Sequence, residues 1–414
     1  MNSRNKKKYD VIVVGAGAAG MMAAISAARQ GANVALLEHM EQAGKKLLAT
    51  GNGKCNFTNR VQGLECYRGQ DPAFVLPVLE QFGLSETLAF FQEIGIFPRE
   101  KRGGYFYPAS GQASCVRQAL VQELLHWNVD CCYGVGIRSI KKEKNLFYYD
   151  TKQGQYQSRS CIIATGGKAA KKTGSDGSGI PYIVGFGHHV TELVPALVQM
   201  KGKQSFLKEL AGIRADSVLS LYIDGKRFCS EPGELQLTEF GLSGIPAFQV
   251  SRYALYALSA GLDVYAAIDF APEQSLKELE DYLRFQQRRR GNCPVGDCLP
   301  GLLNQKLIPV LLREAELEQG ISLAQCSRKN IHSLAECIKG LRIDINGSKS
   351  FDQAQACAGG VDTSELNPDT MESRLVEGLY FAGEVIDIDG ACGGYNLQWA
   401  WSSGWVAGFH GGHI

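Results

Sequence analysis

Three glycines near the start of the chain, Gly15, Gly17 and Gly20, have the spacing of a loop that holds the pyrophosphate of a dinucleotide. An apolar run typical of a buried parallel strand precedes them, and an apolar helical segment follows them. In such a loop the first glycine permits the tight turn, the second lets the phosphates approach the backbone, and the third lets the helix pack against the strand. The free N–H groups of the helix N-terminus then face the anion. The pattern predicts a dinucleotide-binding site.

An acidic residue follows at the distance that such a site requires. Glu38 ends the next apolar strand, 18 residues after Gly20. A carboxylate about 20 residues beyond the loop accepts a hydrogen bond from a ribose hydroxyl. The strand, the helix and the acid together favour dinucleotide binding over the alternative, a glycine-rich turn in an ordinary α/β protein.

A second glycine-rich segment, residues 378–404, lies near the C-terminus. Gly383 and Glu384 follow a predicted strand, where they could present an N–H group and a carboxylate to a phosphate or a ribityl chain. Gly394 precedes a predicted helix over 396–407, whose positive N-terminal end would point into the crevice. Such an end would stabilise the negative charge that the N1–C2 edge of a flavin gains on reduction. The alternative is a glycine-rich loop that only caps a core helix.

The remaining elements indicate how these segments are positioned. A further predicted strand ends at Thr165 and Gly166, so these residues should reach the same crevice. From about residue 195 the pattern changes to short alternating strands, such as 217–223 and 226–230, joined by an Asp-Gly turn signal. Helical patterns follow at 275–289, 301–318 and 330–339. At 414 residues the chain is too long for one simple core, so we expect an α/β protein of two or three domains.

The charges of the chain nearly cancel, with 43 basic and 42 acidic residues. No overall field would therefore attract nucleic acid or an anionic membrane. We find no apolar run long enough to span a membrane, and residues 1–8 lack the apolar core of a signal peptide. We expect these eight residues to form a solvated basic tail, with contact to RNA as the alternative.

The thirteen cysteines indicate a reducing compartment, so we predict a cytoplasmic protein whose cysteines stay thiols. No Cys-x-x-Cys pair occurs, and neither a redox dithiol nor a paired-thiol zinc site is supported. Cys293 and Cys298 share a loop that has no histidine close by. We therefore predict no metal site.

Several of these segments together resemble the BaiN/YhiN family of NAD(P)/FAD-dependent oxidoreductases, over essentially the full chain. The most specific are 50–59, which reads Thr-Gly-Asn-Gly-Lys-Cys-Asn-Phe-Thr-Asn, and 393–401, which reads Gly-Gly-Tyr-Asn-Leu-Gln-Trp-Ala-Trp. Segment 173–177 and the opening glycines also contribute. Lys54 and Ala391 differ from the residues that are common in the family at these positions. These differences leave the prediction of FAD binding unchanged and make the prediction of the substrate less specific.

The resemblance implies an α/β fold with a Rossmann-like FAD-binding domain in two sequence segments. A β-barrel-like piece and a helical piece interrupt this domain and cover the flavin. We place the two FAD-binding segments at 1–195 and 355–414. The barrel-like piece then takes 196–250 and 335–354, and the helical piece takes 251–334.

The resemblance also implies a set of residues that bind FAD. Those at the AMP half are Gly15, Gly17, Ala18 and Gly20 on the pyrophosphate, Glu38 on the ribose, and the backbone of Ile137 on the adenine. Those along the pyrophosphate and the flavin are Lys46, Gly51, Asn52 and Cys55, with Thr165 and Gly166 in the same crevice. Those at the ribityl chain and the pyrimidine edge of the flavin are Gly383, Glu384, Asn396 and Leu397. Gly394, which precedes the predicted helix, is counted with the cofactor-binding residues.

The resemblance assigns no catalytic residue besides these cofactor-binding residues. Cys55 is a candidate proton donor or flavin-tuning thiol, although most buried cysteines are inert. Lys46 is better explained as a cation for phosphate than as an acid. His188 and His189 follow a predicted helix end, which they would cap rather than catalyse. Arg288–Arg290 end another predicted helix, as a solvated turn or, alternatively, an RNA or phosphate contact.

No second glycine fingerprint follows a strand, so NAD(P)H would visit the flavin transiently or another donor would supply the electrons. The resemblance implies reduction of a C=C bond conjugated to a carbonyl, in a steroid-like enone for some members and in a uracil of ribosomal RNA for others. A neutral insert and 45% hydrophobic content favour a small apolar substrate, a steroid- or bile-acid-like enone. The alternatives are a ribosomal RNA dihydrouridine synthase and a non-enzymatic flavoprotein interaction module.

Overall fold

The computed structural model describes residues 6–101 and 103–413. In chain order the strands are β1 Lys6–Val14, β2 Val34–Leu37, β3 Thr58–Asn59, β4 Tyr67–Arg68, β5 Pro98–Lys101, β6 Tyr105–Pro108, β7 Asp130–Cys132, β8 Ile137–Glu143, β9 Leu146–Thr151, β10 Gly154–Ile163, β11 Val194–Ala196, β12 Met200–Gly202, β13 Arg214–Ile223, β14 Lys226–Thr238, β15 Gly241–Gly244, β16 Val264–Asp269, β17 Leu341–Ser348, β18 Ala356–Ala358, β19 Leu379–Phe381 and β20 Asp389–Gly390. The helices are α1 Ala18–Arg29, α2 Val75–Gln81, α3 Leu84–Glu93, α4 Ala113–His126, α5 Ile180–Gly185, α6 Ile245–Ser259, α7 Leu276–Arg290, α8 Leu307–Glu314, α9 Arg328–Gly340 and α10 Tyr395–Gly412.

The chain divides into two compact units. One comprises Met1–Val194 with Gln355–Ile414, and the other comprises Pro195–Ala354. Among the described residues no single helix is long and apolar enough to cross a membrane, and one bent pair, Pro72–Gln81 with Leu84–Glu93, passes by length and composition only.

The first unit is built around a mostly parallel sheet in the order β7-β2-β1-β10-β9-β8, with β19 also paired to β10. β1 runs parallel to β2 and to β10, and β10 runs parallel to β19. Val11, Ile12 and Val13 in the central strand are fully buried, as expected for a parallel strand that is covered on both faces. The carboxyl ends of β1, β2, β10 and β19 therefore meet at one edge, and the predicted α/β fold is confirmed.

Glycines on α10 let this helix pack directly against α1. A Cβ added to Gly404 would lie 2.4 Å from the carbonyl oxygen of Ala19, and one added to Gly408 would lie 2.2 Å from that of Ala23. Residues four apart share one face of a helix, so the two glycines form a smooth surface on α10. This close packing joins the two sequence segments of the first unit.

The second unit contains a closed barrel in the strand order β12-β15-β14-β13-β16-β17. The β13–β14 hairpin turns at Asp224 and Gly225, both at positive φ, as the Asp-Gly signal predicted. One strand of the barrel, β16, lies inside 251–334, the range predicted as a helical piece. Its residues alternate between buried and half-buried, and it pairs with β13 and β17 to close the barrel. The helical piece implied by the family resemblance thus contains one strand of the barrel, because the strands that pair with β16 both lie outside 251–334.

The predicted basic tail is also shorter than expected. Lys6, Lys7 and Lys8 belong to β1 and pair with residues 155–157 of β10. The backbone of these lysines extends the pairing of β1 with β10. Their positive charge had indicated a solvated tail instead of a strand. Residues 1–5 of the predicted tail lie outside the described part of the chain.

Candidate functional site

A cavity opens in the first unit at the carboxyl ends of β1, β2 and β10. Its wall includes Val14, Leu37 and Ala164, which are the last residues of these strands or directly follow them. It extends to the first turn of α10, where Asn396 and Leu397 lie. Strand ends and helix N-termini thus converge on one space, as in other α/β folds that bind nucleotides.

The three opening glycines have different surroundings. Gly15 has φ +99°, and a Cβ there would lie 2.6 Å from the carbonyl oxygen of Ala164. A Cβ on Gly20 would lie 1.8 Å from the oxygen of Gly15, so Gly20 permits the contact between helix and turn. A Cβ on Gly17 would meet no atom within 4 Å, because this residue faces the open cavity. The loop therefore offers bare backbone to a ligand at the N-terminus of α1.

Glu38 is oriented at the end of β2 by two backbone donors. Its Oε2 accepts from the N–H of Ala16 at 2.7 Å, and its Oε1 accepts from the N–H of Met40 at 2.8 Å. The side chain lines the cavity although the residue is only 8% exposed. Nδ1 of His39, a residue that the sequence analysis missed, lies 3.2 Å from Oε1. A fixed carboxylate here fits the ribose role predicted for Glu38.

The turn after β19 is fixed by α10. The N–H of Gly383 donates to Oγ of Ser403 at 2.9 Å, and Nε1 of Trp399 donates to the Gly383 carbonyl at 3.2 Å. Glu384 follows and lines the cavity, where its Oε2 accepts from Nζ of Lys46 at 2.7 Å. A cation and a carboxylate therefore lie together on this wall.

The helix α10 begins at Tyr395 and ends at Gly412, so it extends further than the predicted helix over 396–407. The amide side chain of Asn396 makes two hydrogen bonds with Gly390, at 2.8 and 2.9 Å, which anchor the start of the helix. The first N–H groups of a helix have no partner within it. Asn396 and Leu397 can therefore offer backbone N–H groups to a ligand, while the Asn396 side chain is engaged with the protein.

Hydroxyl groups on the cavity wall add to its polar character. Oγ1 of Thr165 and Oγ of Ser175 are buried and have no hydrogen-bond partner within the described part of the chain. Together with the exposed backbone at Gly17 and the positive end of α10, these groups suit a polar, anionic ligand. The donor set fits FAD.

The structure brings together eleven of the seventeen residues predicted to bind the cofactor. These line the cavity: Gly15, Gly17, Ala18, Glu38, Lys46, Ile137, Thr165, Gly166, Glu384, Asn396 and Leu397. Six do not line it: Gly20, Gly51, Asn52, Cys55, Gly383 and Gly394. Direct contact with FAD remains a prediction for the first group.

The six others have identifiable surroundings. Gly51 and Asn52 lie in an exposed turn at positive φ. A Cβ on Gly394 would lie 2.8 Å from the carbonyl oxygen of Thr58, and one on Gly383 would lie 2.7 Å from the Cβ of Ala19. Glycine is thus required at 383 and 394 for packing around the site.

The sequence analysis missed several wall residues. These include His39, Met40, Val135, Ser175, Ser178, Tyr182 and Gln355. Ser175 lies in 173–177, a segment that carried the family resemblance and could have indicated it. The others come from positions without a motif of their own.

Cys55 has no access to the cavity in the structure. Its thiol is fully buried in the core, and burial raises its pKa to about 12. The thiol is therefore protonated near neutral pH and is not positioned to transfer that proton to a ligand. The structure gives no support to Cys55 as a catalytic residue.

The sequence analysis expected His188 to cap a helix end, but in the structure it does not. The helix α5 ends at Gly185, and the buried imidazole bridges Glu365 at 2.7 Å and Ser373 at 2.8 Å. It holds the segment before β19 in place.

Among the described residues no group of His, Cys, Asp or Glu could hold a metal ion.

Comparison with known proteins gives matches over nearly the whole chain. A family model described as "HI0933-like protein Rossmann domain" matches residues 9–410. A 3-dehydro-bile acid delta(4,6)-reductase of Clostridium scindens is 40% identical over 96% of this chain and 97% of its own length. A ribosomal RNA dihydrouridine synthase of Escherichia coli is 31% identical, with 97% of each chain covered.

Two solved structures share the fold. A 3-ketosteroid-delta4-(5alpha)-dehydrogenase of Rhodococcus jostii has a TM-score of 0.51 at 15% identity, covering 99% of this chain and 97% of that one. The open conformation of a flavocytochrome c3 fumarate reductase has a TM-score of 0.50 at 16% identity, covering 98% of this chain and 78% of that one.

Proposed function

We propose that this chain, which belongs to the family of HI0933-like Rossmann-domain proteins, is an FAD-dependent reductase. The bond that it reduces is a C=C bond conjugated to a carbonyl. This membership confirms the family resemblance found in the sequence. The substrate class that we propose is a steroid- or bile-acid-like enone. The observation that carries this choice is the 40% identity to the bile acid reductase over nearly the full length of both chains.

The cofactor is FAD, and when bound it supplies the hydride that the C=C bond takes up. The residues of the chain hold it through contacts that the cavity makes available. Bare backbone at Gly17 and the N-terminus of α1 suit the pyrophosphate. The carboxylate of Glu38, fixed by Ala16 and Met40, suits a ribose hydroxyl.

Other residues of the cavity wall supply charge and dipoles. The first turn of α10 directs N–H groups towards the cavity, where they would stabilise negative charge. Lys46 and Glu384 are two titratable side chains that line the cavity. Reduction of an enone also requires a proton at the α-carbon, and the Cys55 thiol, which is buried and does not line the cavity, is not placed to donate it.

The second unit is electrically neutral, with 19 basic and 19 acidic residues in 196–354. A unit without net charge is compatible with an apolar substrate and does not by its overall charge attract RNA. As a location we propose the cytoplasm, where the thirteen cysteines would stay reduced.

The test is anaerobic stopped-flow spectroscopy of the purified, photoreduced protein. Mixing with a 3-oxo-4-ene or 3-oxo-4,6-diene steroid acid should reoxidise the flavin and yield the saturated product, detected by mass spectrometry. A saturated 3-oxo steroid of the same skeleton is the control and should leave the flavin reduced. Reoxidation at the same rate with both compounds would contradict the proposal.

A second candidate is formation of dihydrouridine in ribosomal RNA, favoured by the 31% identity to the Escherichia coli synthase. Arg288, Arg289 and Arg290 are exposed at the end of α7 and could contact phosphates. If deletion of the gene removes a dihydrouridine from ribosomal RNA, and the pure protein restores it, this second function replaces the first.

A further inference from the structure

A lysine and a glutamate that are 338 positions apart in the sequence meet on the cavity wall. Nζ of Lys46 donates to Oε2 of Glu384 at 2.7 Å. The two side chains are 28% and 18% exposed, so water screens this pair less than it screens ion pairs on the open surface. Both face a cavity that suits an anionic ligand.

Glu384 is held by more than the lysine. Its Oε2 also accepts from the N–H of Gly167 at 3.3 Å, and its Oε1 accepts from the N–H of Cys357 at 2.9 Å. The carboxylate therefore joins three chain segments: the one after β2, the one after β10, and β18. A side chain with three such donors has little freedom to rotate.

Lys46 depends on this carboxylate for its orientation. An ammonium group has three N–H donors, and Glu384 takes up one of them. A lysine side chain is flexible and loses considerable rotamer entropy when it is ordered. The fixed carboxylate supplies a partner that orders the ammonium on the wall while its other donors remain available to a ligand.

We infer that Glu384 is a positioning residue for Lys46, and that FAD is retained by the ordered pair rather than by the positive charge of Lys46 alone. This inference rests on the proposed function, because it concerns how the cofactor is held. It also predicts that removing the carboxylate weakens FAD binding, which is the opposite of what net charge alone predicts. FAD carries negative charge on its pyrophosphate, so if net charge alone mattered, removing the carboxylate would strengthen binding.

The test measures the dissociation constant of FAD from the full-length protein, by equilibrium dialysis of wild type, Glu384→Gln, Lys46→Met and the double variant. We expect Glu384→Gln to weaken binding by about tenfold, which corresponds to about 1.4 kcal/mol. Lys46→Met should have a similar effect. Since the two residues act as a unit, the double variant should bind about as weakly as the worse single variant.

Two further variants separate positioning from general structural damage. Lys46→Arg should restore most of the affinity, because a guanidinium keeps the charge and pairs well with a carboxylate. The matched control is the ion pair of Arg214 and Glu234 in the second unit, 2.9 Å apart and exposed. Arg214→Met with Glu234→Gln should leave FAD affinity unchanged.

The outcomes are distinct. Unchanged or tighter binding by Glu384→Gln, or losses that multiply in the double variant, would overturn the inference while leaving the proposed function intact. A fall in FAD affinity matched by an equal loss of unfolding free energy of the FAD-free protein would also overturn it. A wild-type protein that neither carries nor takes up FAD would instead refute the proposed function.

Discussion

Gly404 on α10 lies so close to Ala19 on α1 that a single added Cβ would stand 2.4 Å from the Ala19 carbonyl oxygen. Ala19 is the second residue of the helix that starts at the opening glycine loop. The C-terminal helix is thereby packed against the N-terminal nucleotide fingerprint. This contact lets two segments from opposite ends of the chain form one cavity.

Gly404→Ala should destabilise the protein, although alanine is the better helix former by about 1 kcal/mol. Overpacking a close contact costs about 1–3 kcal/mol, and here the obstacle is backbone that cannot rotate away. Urea unfolding of the purified protein measures the effect. Gly340→Ala is the control, since a Cβ at the end of α9 would meet no atom within 4 Å. Equal stability of both variants would show that α1 and α10 can separate at no cost.

Glu38→Ala should lose most of the bound cofactor, and the cofactor released from wild type should be FAD rather than FMN. The carboxylate suits a ribose that only the AMP half of FAD provides. Its removal also leaves the N–H groups of Ala16 and Met40 without their acceptor. Chromatography of the heat-released flavin gives both identity and occupancy. Full occupancy in Glu38→Ala would contradict the assignment.

The buried thiol of Cys55 predicts a loss of stability at alkaline pH. Its pKa is raised by burial from 9.0 to about 12, so the unfolded chain loses this proton before the folded one does. The free energy of unfolding should therefore fall as the pH rises from about 9 to about 12. In Cys55→Ala this fall should be smaller, as measured by urea unfolding at pH 8 and pH 10.5. The pH profile of enzyme activity near neutral pH should have the same shape in wild type and in Cys55→Ala.

His188→Ala should destabilise the fold without changing the affinity for FAD. The variant removes the partner of Glu365 and of Ser373, and an unsatisfied buried polar group costs about 1–3 kcal/mol. The adjacent His189 is exposed and provides the matched control, with His189→Ala expected within about 0.5 kcal/mol of wild type. Thermal unfolding and FAD titration are measured together. Lower FAD affinity with unchanged stability would assign His188 to the cofactor site.

The N-terminal end of α10 should raise the reduction potential of the flavin. Replacing Gly394 is a poor test, because its positive φ and its contact with Thr58 would disturb the fold. Leu397→Asp instead places a negative charge in the first turn, on the cavity wall. We expect the potential to fall by on the order of 30 mV, which corresponds to about 1.4 kcal/mol for two electrons. Leu397→Asn is the neutral control of equal size, and an equal shift in both variants would exclude an electrostatic origin.

The sequence was most informative where one short segment contains the whole structural cause. The roles of Gly15, Gly17 and Gly20 follow from a strand, a turn and a helix within a few residues, and the Asp-Gly hairpin follows from the φ that its turn requires. Glu38 also belongs to this class, since one crossover helix sets its distance from the loop. Such features depend on local backbone geometry, which residue type and spacing already determine.

Features that depend on distant segments were decided by the tertiary structure. Lys46 and Glu384 are 338 positions apart, and His188 and Ser373 are 185 apart, so neither pair leaves a periodic signal in the sequence. β16 closes the barrel through hydrogen bonds to β13 and β17, which both lie outside the range predicted as the helical piece. Cys55 lies in a glycine-rich loop, yet packing buries its thiol. The sequence alone therefore determined the family, the dinucleotide fingerprint and the local turns, whereas packing between distant segments decided which side chains face the cavity and which partners hold them there.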